Sequence, residues 1–340
     1  MGRERGEVGT RTTIVGGSGA PPHAEGGQPE APAPRGRSQG EPAIELAGHR
    51  VSRVAFGAAR LTAGDGWGTP ADPEAAKDLL LAAVDAGFSY VDTADALGPG
   101  VSERLIGEAI GNRADVLVAT KVGMLRPSAD AWGVLGRPDY LRQQIQLSLQ
   151  RLRRDRIDLL YLHRIDPTVP LADQFGALQD ARDRGDVGAI GVSEPAAAQL
   201  DAVLELEPGL AAVQSLFNVA ARQNGEIAAR LERLGIPFVA YWPLIGRGLR
   251  AEHKRPLFAE LKRIGQTVGL SAHQLSLAWI FSAHPNALAV AGSRSLIHLV
   301  QNQQAAGTRL DSCVSSEVEA AVQAVLGDTP FDPRFPEENS

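Results

Sequence analysis

Cysteine is almost absent from this 340-residue chain, and the single Cys313 excludes both a disulfide framework and a zinc site built on thiolates. Long apolar runs are missing too: none approaches the roughly 18 residues that a membrane-spanning helix needs. The opening MGRERGEVGTRTT lacks the apolar stretch of a signal peptide. Basic charge is not in excess, with 34 Lys plus Arg against 40 Asp plus Glu and a net charge of −6. A nucleic-acid partner is therefore not expected, because such binders carry a basic surplus or stripe. No two histidines stand at a metal-ligand spacing, so no metal is expected. What is present is a hydrophobic fraction of 44%, enough for a large core. Length alone suggests about two domains at roughly 150 residues each, but α/β barrels run past that as one unit. These bounds describe a cytoplasmic, soluble α/β protein with a small-molecule substrate, and leave monomer and homo-oligomer both open.

Composition divides the chain. Residues 1–44 are rich in Gly, Pro, Ser and charge (GGSGAPPHAEGGQPEAPAPRGRSQGEP) and read as a flexible tail, since such a segment buries too little apolar surface to offset its ordering entropy. The fragment IVGGSG within it fits no phosphate-loop spacing. Residues 45–327 read as one domain, with 328–340 as a second tail. Short apolar runs at 51–56, 89–93, 116–122, 157–163, 189–193, 212–215, 237–241 and 288–291 lack clean polar alternation, as strands buried on both faces do. Amphipathic stretches at 74–86, 102–110, 139–152, 171–184, 195–206 and 226–234 lie between them, several followed by glycine. Two more, at 256–268 and 271–281, place an extra helix before the last strand. Eight strands alternating with helices predict a (β/α)8 TIM barrel. The open doubly wound sheet is disfavoured because its glycine fingerprint is absent.

Barrel chemistry sits where strands end. The polar residues there are Asp92, Lys121, His163, Ser193, Glu194, Gln214, Tyr241, Ser293 and Arg294. An isolated strand-end charge is ordinarily a solvated rim residue. An acid, a lysine and a histidine on three consecutive strand ends point instead to a paired, pKa-perturbed site. His23, His49, His253, His273 and His284 read as tail, surface or helix positions. The basic run at 151–156 suits a helix C-terminus.

The ordered strings VDTADALGPGVSERLIGEAI, VATKVG, DLLYLHRIDP, GVSE, VQSLFN, AYWPLIGRG and AGSRSLIHLVQN resemble the aldo-keto reductase family. VSRVAFGAARL and DGWGTP resemble its bacterial general or pyridoxal-reductase-like branch. The resemblance implies hydride transfer from NADP(H) to a carbonyl by an Asp, Tyr, Lys and His set. Three members map onto Asp92, Lys121 and His163. It further implies that Ser193 and Gln214 bind the nicotinamide carboxamide, that Glu194, at a cofactor-binding position that is Asn in many relatives, lies beside them, and that Tyr241 stacks on the ring. Trp242, Pro243, Leu244, Gly246 and Gly248 would wrap the pyrophosphate. Ser293 and Arg294 would take the adenosine phosphate, with His298, Gln301 and Asn302 near the adenine. Arg60, Trp67, Trp132 and Trp242 fall on loops that would shape a substrate pocket.

The departure is Leu97, which stands where the family pattern has its proton-donating tyrosine. As negative charge builds on the carbonyl oxygen, a proton or an oxyanion donor must meet it. Leucine has neither. His163, the side chain that titrates nearest neutrality, could serve as acid; Lys121 or Asp95 could donate instead. A substrate that needs no donor there, such as an iminium or enone, is the other solution. Two alternatives from other classes stay open: a dehydratase, cyclase or isomerase using Lys121 or His163 as base, and a catalytically silent NADP-binding protein.

Overall fold

The computed structural model describes residues 43–64, 66–245 and 249–327. The expected tails at 1–42 and 328–340, with IVGGSG and His23, lie outside the described residues. A hairpin of β1 (Ala43–Leu46) and β2 (His49–Ser52) comes first, so Ala43 and Ile44, read as tail, are strand residues. The run at 51–56 is accordingly divided: Val51 belongs to β2, and the first barrel strand is β3 (Val54–Gly57). Arg53 marks the break. Its buried guanidinium donates to the carbonyls of Ala287, His284 and Pro285 and lies 4.3 Å from the Phe281 ring centroid.

The chain continues with α1 (Pro73–Asp85), β4 (Tyr90–Asp92), α2 (Val101–Ile110) and β5 (Leu117–Val122). A short hairpin, β6 (Met124–Leu125) with β7 (Gly133–Val134), leads to α3 (Pro138–Leu152). Then follow β8 (Ile157–Leu162), α4 (Leu171–Asp183), β9 (Val187–Ser193), α5 (Ala197–Leu206), β10 (Ala212–Leu216), α6 (Gly225–Leu234) and β11 (Phe238–Tyr241). The last segment is α7 (Ala251–Thr267), α8 (Ala272–Ala283), β12 (Ala287–Ala291), α9 (Leu296–Gln304) and α10 (Ser312–Leu326). Parallel strands close in the order β3-β4-β5-β8-β9-β10-β11-β12, the expected TIM barrel with one extra helix before its last strand. Among the described residues no helix is long and apolar enough to cross a membrane.

Local chemistry sets the helix ends. Asp72 caps α1 by accepting from Ala75 N, with Pro73 in the first turn, where a missing N–H costs nothing. Gly235 ends α6 in the left-handed region at φ +71°, as the glycine pattern predicted. α7 begins five residues before the expected 256, and Pro256 lies inside it. The basic run is structural, as its place after α3 suggested. Arg151 pairs with Glu103, and Arg154 pairs with Asp158 while donating to the carbonyls of Ile110, Arg113 and Val116. His284 differs from the surface reading: it is buried against Phe217, with ring centroids 5.2 Å apart.

Two apolar layers follow from strand alternation. Outward residues such as Val91, Val118, Leu160, Ile190, Val213 and Ala240 pack beneath the helices. Inward residues Ala55, Tyr90, Leu117, Ala119, Leu159, Tyr161, Ala212, Val239 and Leu288 fill the barrel, joined by Leu46 and Val51 of the first hairpin. Gly191 is required inside: a Cβ there would lie 2.5 Å from the Tyr161 ring. The same period of two carries the inward face upward. Asp92 continues Tyr90, Lys121 continues Ala119, His163 continues Tyr161, Ser193 continues Gly191, Gln214 continues Ala212, and Tyr241 continues Val239. One end of the barrel interior is therefore polar because on six of the eight strands the sequence turns polar at the inward step past the hydrophobic layers, β3 and β12 being the exceptions with Gly57 and Val290.

Candidate active site

Strand register brings Asp92 opposite Ala119, Lys121 opposite Tyr161, and Gln214 opposite Ser193. Lys121 Nζ donates to Asp92 Oδ1 at 2.5 Å and to the Thr93 carbonyl at 2.8 Å. Gln214 Nε2 donates to Asp92 Oδ2 at 2.7 Å, and the Tyr90 hydroxyl reaches the same oxygen at 3.2 Å. All four side chains are buried. Burial lowers the Lys121 pKa, and Arg164 adds to that, while the Asp92 contact opposes it. An ion pair this deep contributes little net stability, since hydrocarbon of the same shape often does as well. Its presence is better explained by chemistry.

His163 follows β8, its backbone N–H bonded to the Val122 carbonyl. Burial, with the positive charges of Arg164 and Lys121, holds its imidazole well below the ordinary range. This favours the neutral ring and weighs against His163 as the protonated acid considered from the sequence. Its buried Nδ1 has no hydrogen-bond partner, so the proton belongs on Nε2, because an orphaned N–H is the costlier arrangement.

Leu97 is partly exposed at the loop after β4, and its Cδ2 lies 3.4 Å from the position a Cβ on Gly66 would take. Arg126 Nη1 lies 3.5 Å from that same position. The Arg126 guanidinium donates to the Gly66 and Ala129 carbonyls and stacks on Trp132 at 3.7 Å, with Trp67 at 5.5 Å. Trp67, Leu97 and Trp132, three of the expected pocket residues, are thus gathered around Arg126. Arg60 is not with them: it stands beside Gly292, and its carbonyl accepts from Arg294. Neither tyrosine inside the barrel stands in for the expected phenol; of the other two, the Tyr140 hydroxyl donates to the Met124 carbonyl and the Tyr241 hydroxyl accepts from Arg164. Tyr90 and Tyr161 lie fully buried in the barrel with their hydroxyls 3.4 Å apart, and burial raises both pKa values, so neither releases a proton readily. Asp95, by contrast, is pushed toward its neutral form. Burial and the Glu103 charge raise its pKa well above the carboxylate range, and its Oδ1 has no partner.

Of the positions expected to hold a dinucleotide, Ser193 and Gln214 are buried and Tyr241 is partly exposed. Glu194 adopts φ +54° and accepts from Leu216 N at 2.5 Å. Trp242 also takes a left-handed conformation, its carbonyl accepting from Asn218 Nδ2 at 2.9 Å, and Pro243 and Leu244 follow it. Gly246 and Gly248 lie outside the described residues. Ser293 Oγ accepts from Ser295 N just before α9, whose first turn has no side-chain cap. Arg294, His298 and Gln301 are exposed on that segment, while Asn302 is buried.

The sequence model of the Aldo/keto reductase family matches residues 53–323. The chain belongs to the aldo/keto reductase family. It is 34% identical over 270 residues to an uncharacterized oxidoreductase of Schizosaccharomyces pombe, covering 79% of this chain and 86% of that one. It is 32% identical over 296 residues to the aldo-keto reductase str7 of Strobilurus tenacellus, covering 76% and 85%. Its fold matches a glycerol dehydrogenase from Gluconobacter oxydans (TM-score 0.76, 24% identity, 87% of this chain and 99% of that one). It also matches an aldo-keto reductase from Klebsiella pneumoniae solved with NADPH (TM-score 0.70, 24% identity, 86% and 99%). This aldo/keto reductase is an oxidoreductase by kinship. Four of the residues that shape its site were not singled out as such from sequence: Arg164, Tyr90, Glu103 and Arg126. The HRID string held a signal for the first, since a cation directly after a strand-end histidine faces the same barrel mouth.

Proposed function

We propose that the protein is an NADP(H)-dependent reductase of a carbonyl, imine or enone, with a proton-delivery site in which Lys121 and His163 work without a tyrosine. The supporting observation is the buried Lys121–Asp92 pair hydrogen-bonded to Gln214. The cofactor fits what the chain offers. Ser193 Oγ already accepts from Arg164, so its O–H is left to donate, and Gln214, one of whose two amide N–H groups is held by Asp92, keeps its carbonyl oxygen as acceptor. One buried donor beside one buried acceptor is the complement of a carboxamide. Tyr241 would flank the ring, and the uncapped start of α9 with Arg294 would hold a phosphate. Glu194 and the segment from Trp242 to Leu244 would line the remainder, with His298, Gln301 and Asn302 toward the adenine. Bound NADPH would supply a hydride to the substrate carbon.

The chain's own residues would then meet the charge left on oxygen. An ammonium has three protons; Asp92 and the Thr93 carbonyl hold two of those on Lys121, and the third is available to the substrate oxygen. The lowered pKa makes Lys121 a stronger acid than a free lysine, and a neutral His163 adds an N–H donor. The Arg126–Trp132 stack with Trp67 forms a flat aromatic wall beside Leu97, suited to a planar conjugated substrate. The test is NADPH consumption over aldehydes, enones, quinones and cyclic imines. Slow turnover that Lys121→Met abolishes, with NADPH affinity retained, is expected. A chain that does not bind NADPH refutes the proposal, and tight binding without turnover in any class establishes a silent binder instead.

A further inference from the structure

Arg164, which already donates to Ser193 Oγ in the reading above, reaches further groups of the barrel mouth as well. It follows His163 at the end of β8, and its guanidinium crosses to two other strands. Nη1 donates to the His163 carbonyl at 2.6 Å and to Ser193 Oγ at 3.0 Å; Nη2 reaches the Tyr241 hydroxyl at 3.5 Å. Ser193 ends β9 and Tyr241 ends β11, so one planar fork ties two strand ends that backbone hydrogen bonds do not join directly, β10 lying between them.

We infer that Arg164 is the positioning residue of the nicotinamide floor, acting through the hydroxyls of Ser193 and Tyr241; this rests on the dinucleotide reading. A serine hydroxyl rotates freely unless something takes its lone pair. Donation from a cation fixes the Ser193 rotor, turns its proton away from Arg164, and strengthens it as a donor. Burial and the nearby Glu194 carboxylate, itself held by Leu216 N, raise the Tyr241 pKa, and the Tyr241 hydroxyl accepts from Arg164. The ring is thereby fixed in plane before any ligand arrives. A lysine is a point donor and reaches only one of the two hydroxyls, so the fork geometry is what the site uses.

The experiment is calorimetric titration of the full chain with NADPH and, separately, with 2′,5′-ADP, which lacks the nicotinamide. Arg164→Met is expected to weaken NADPH about tenfold, the order expected for losing one to two hydrogen bonds to a charged group, and to leave 2′,5′-ADP within twofold. Arg164→Lys should fall between the two. In a Ser193→Ala/Tyr241→Phe background, Arg164→Met should cost little more, because its route of action is already gone. Unchanged NADPH affinity in Arg164→Met, an equal loss for both ligands, or a full further loss in the double background each overturns the inference while the reductase reading stands. An unsubstituted protein that binds neither ligand overturns the reductase reading, and the inference with it.

Discussion

Replacing Leu97 with tyrosine tests the proposed reading that this position carries hydrocarbon where a proton-donating phenol would serve the reaction. The phenol would enter beside Gly66 and Arg126, and Lys121 would lie across the mouth. Gly66 offers no side chain to clash with, and Leu97 is only partly buried. The larger ring is therefore expected to change stability by about 1 kcal/mol or less, against roughly 1–3 kcal/mol for overpacking a sealed core. The kinetic effect is larger. A positioned acid contributes about 10²–10⁴-fold, which is about 2.7–5.4 kcal/mol at 1.36 kcal/mol per decade. A nearby ammonium lowers a phenol's pKa, so the gain should fall away as pH rises through that lowered value. The assay is single-turnover loss of NADPH absorbance on a simple aldehyde with enzyme in excess, which removes product release from the measurement. Combining Leu97→Tyr with Lys121→Met should erase most of the gain. A Leu97→Tyr protein that binds NADPH normally yet reduces the aldehyde within threefold of the parent rate refutes the reasoning: either hydride transfer does not limit, or the side chain at 97 does not face the reacting oxygen.

Two further substitutions test the burial argument. Because Asp95 has a raised folded pKa, the folded protein keeps its proton there to a higher pH than the unfolded chain does, so this group's contribution to stability falls as pH rises above about 4. Asp95→Asn removes that dependence. Urea unfolding should show it more stable than the parent by roughly 1–3 kcal/mol near pH 7, with the difference shrinking toward pH 4; a variant less stable at both would show the carboxyl to be charged and paired. Gly191→Ala puts a methyl 2.5 Å from the Tyr161 ring between two strands, in a layer with no room to yield. It should cost roughly 1–3 kcal/mol in thermal or urea unfolding, and an unchanged midpoint would mean that the Tyr161 ring shifts freely.

Much of this was legible in the sequence because barrel strands have a fixed side-chain period. Once the runs at 116–122 and 157–163 are strands, Lys121 and His163 must face inward near their ends, and both do. The first strand was misjudged for a physical reason: Val51 is as apolar as Val54, and periodicity does not show that Arg53 turns the chain between a hairpin and the barrel. Arg60 was placed with the pocket loops by its position after a strand, but its neighbours Gly292 and Arg294 lie more than 230 residues on.

The sequence by itself determined the barrel, the polar inward step at six of its strand ends, and the hydrocarbon at position 97, because these are properties of residue order and alternation. Only the tertiary structure decided what those residues are chemically. Gln214 lies 122 residues from the carboxylate it holds, and Ser193 lies 29 from the guanidinium that orients it. The His163 pKa is lowered and the Asp95 pKa raised because burial and the neighbouring charges, many of them distant in the chain, set the cost of ionisation. That cost is a property of the packed surroundings, and no local pattern in the chain encodes it.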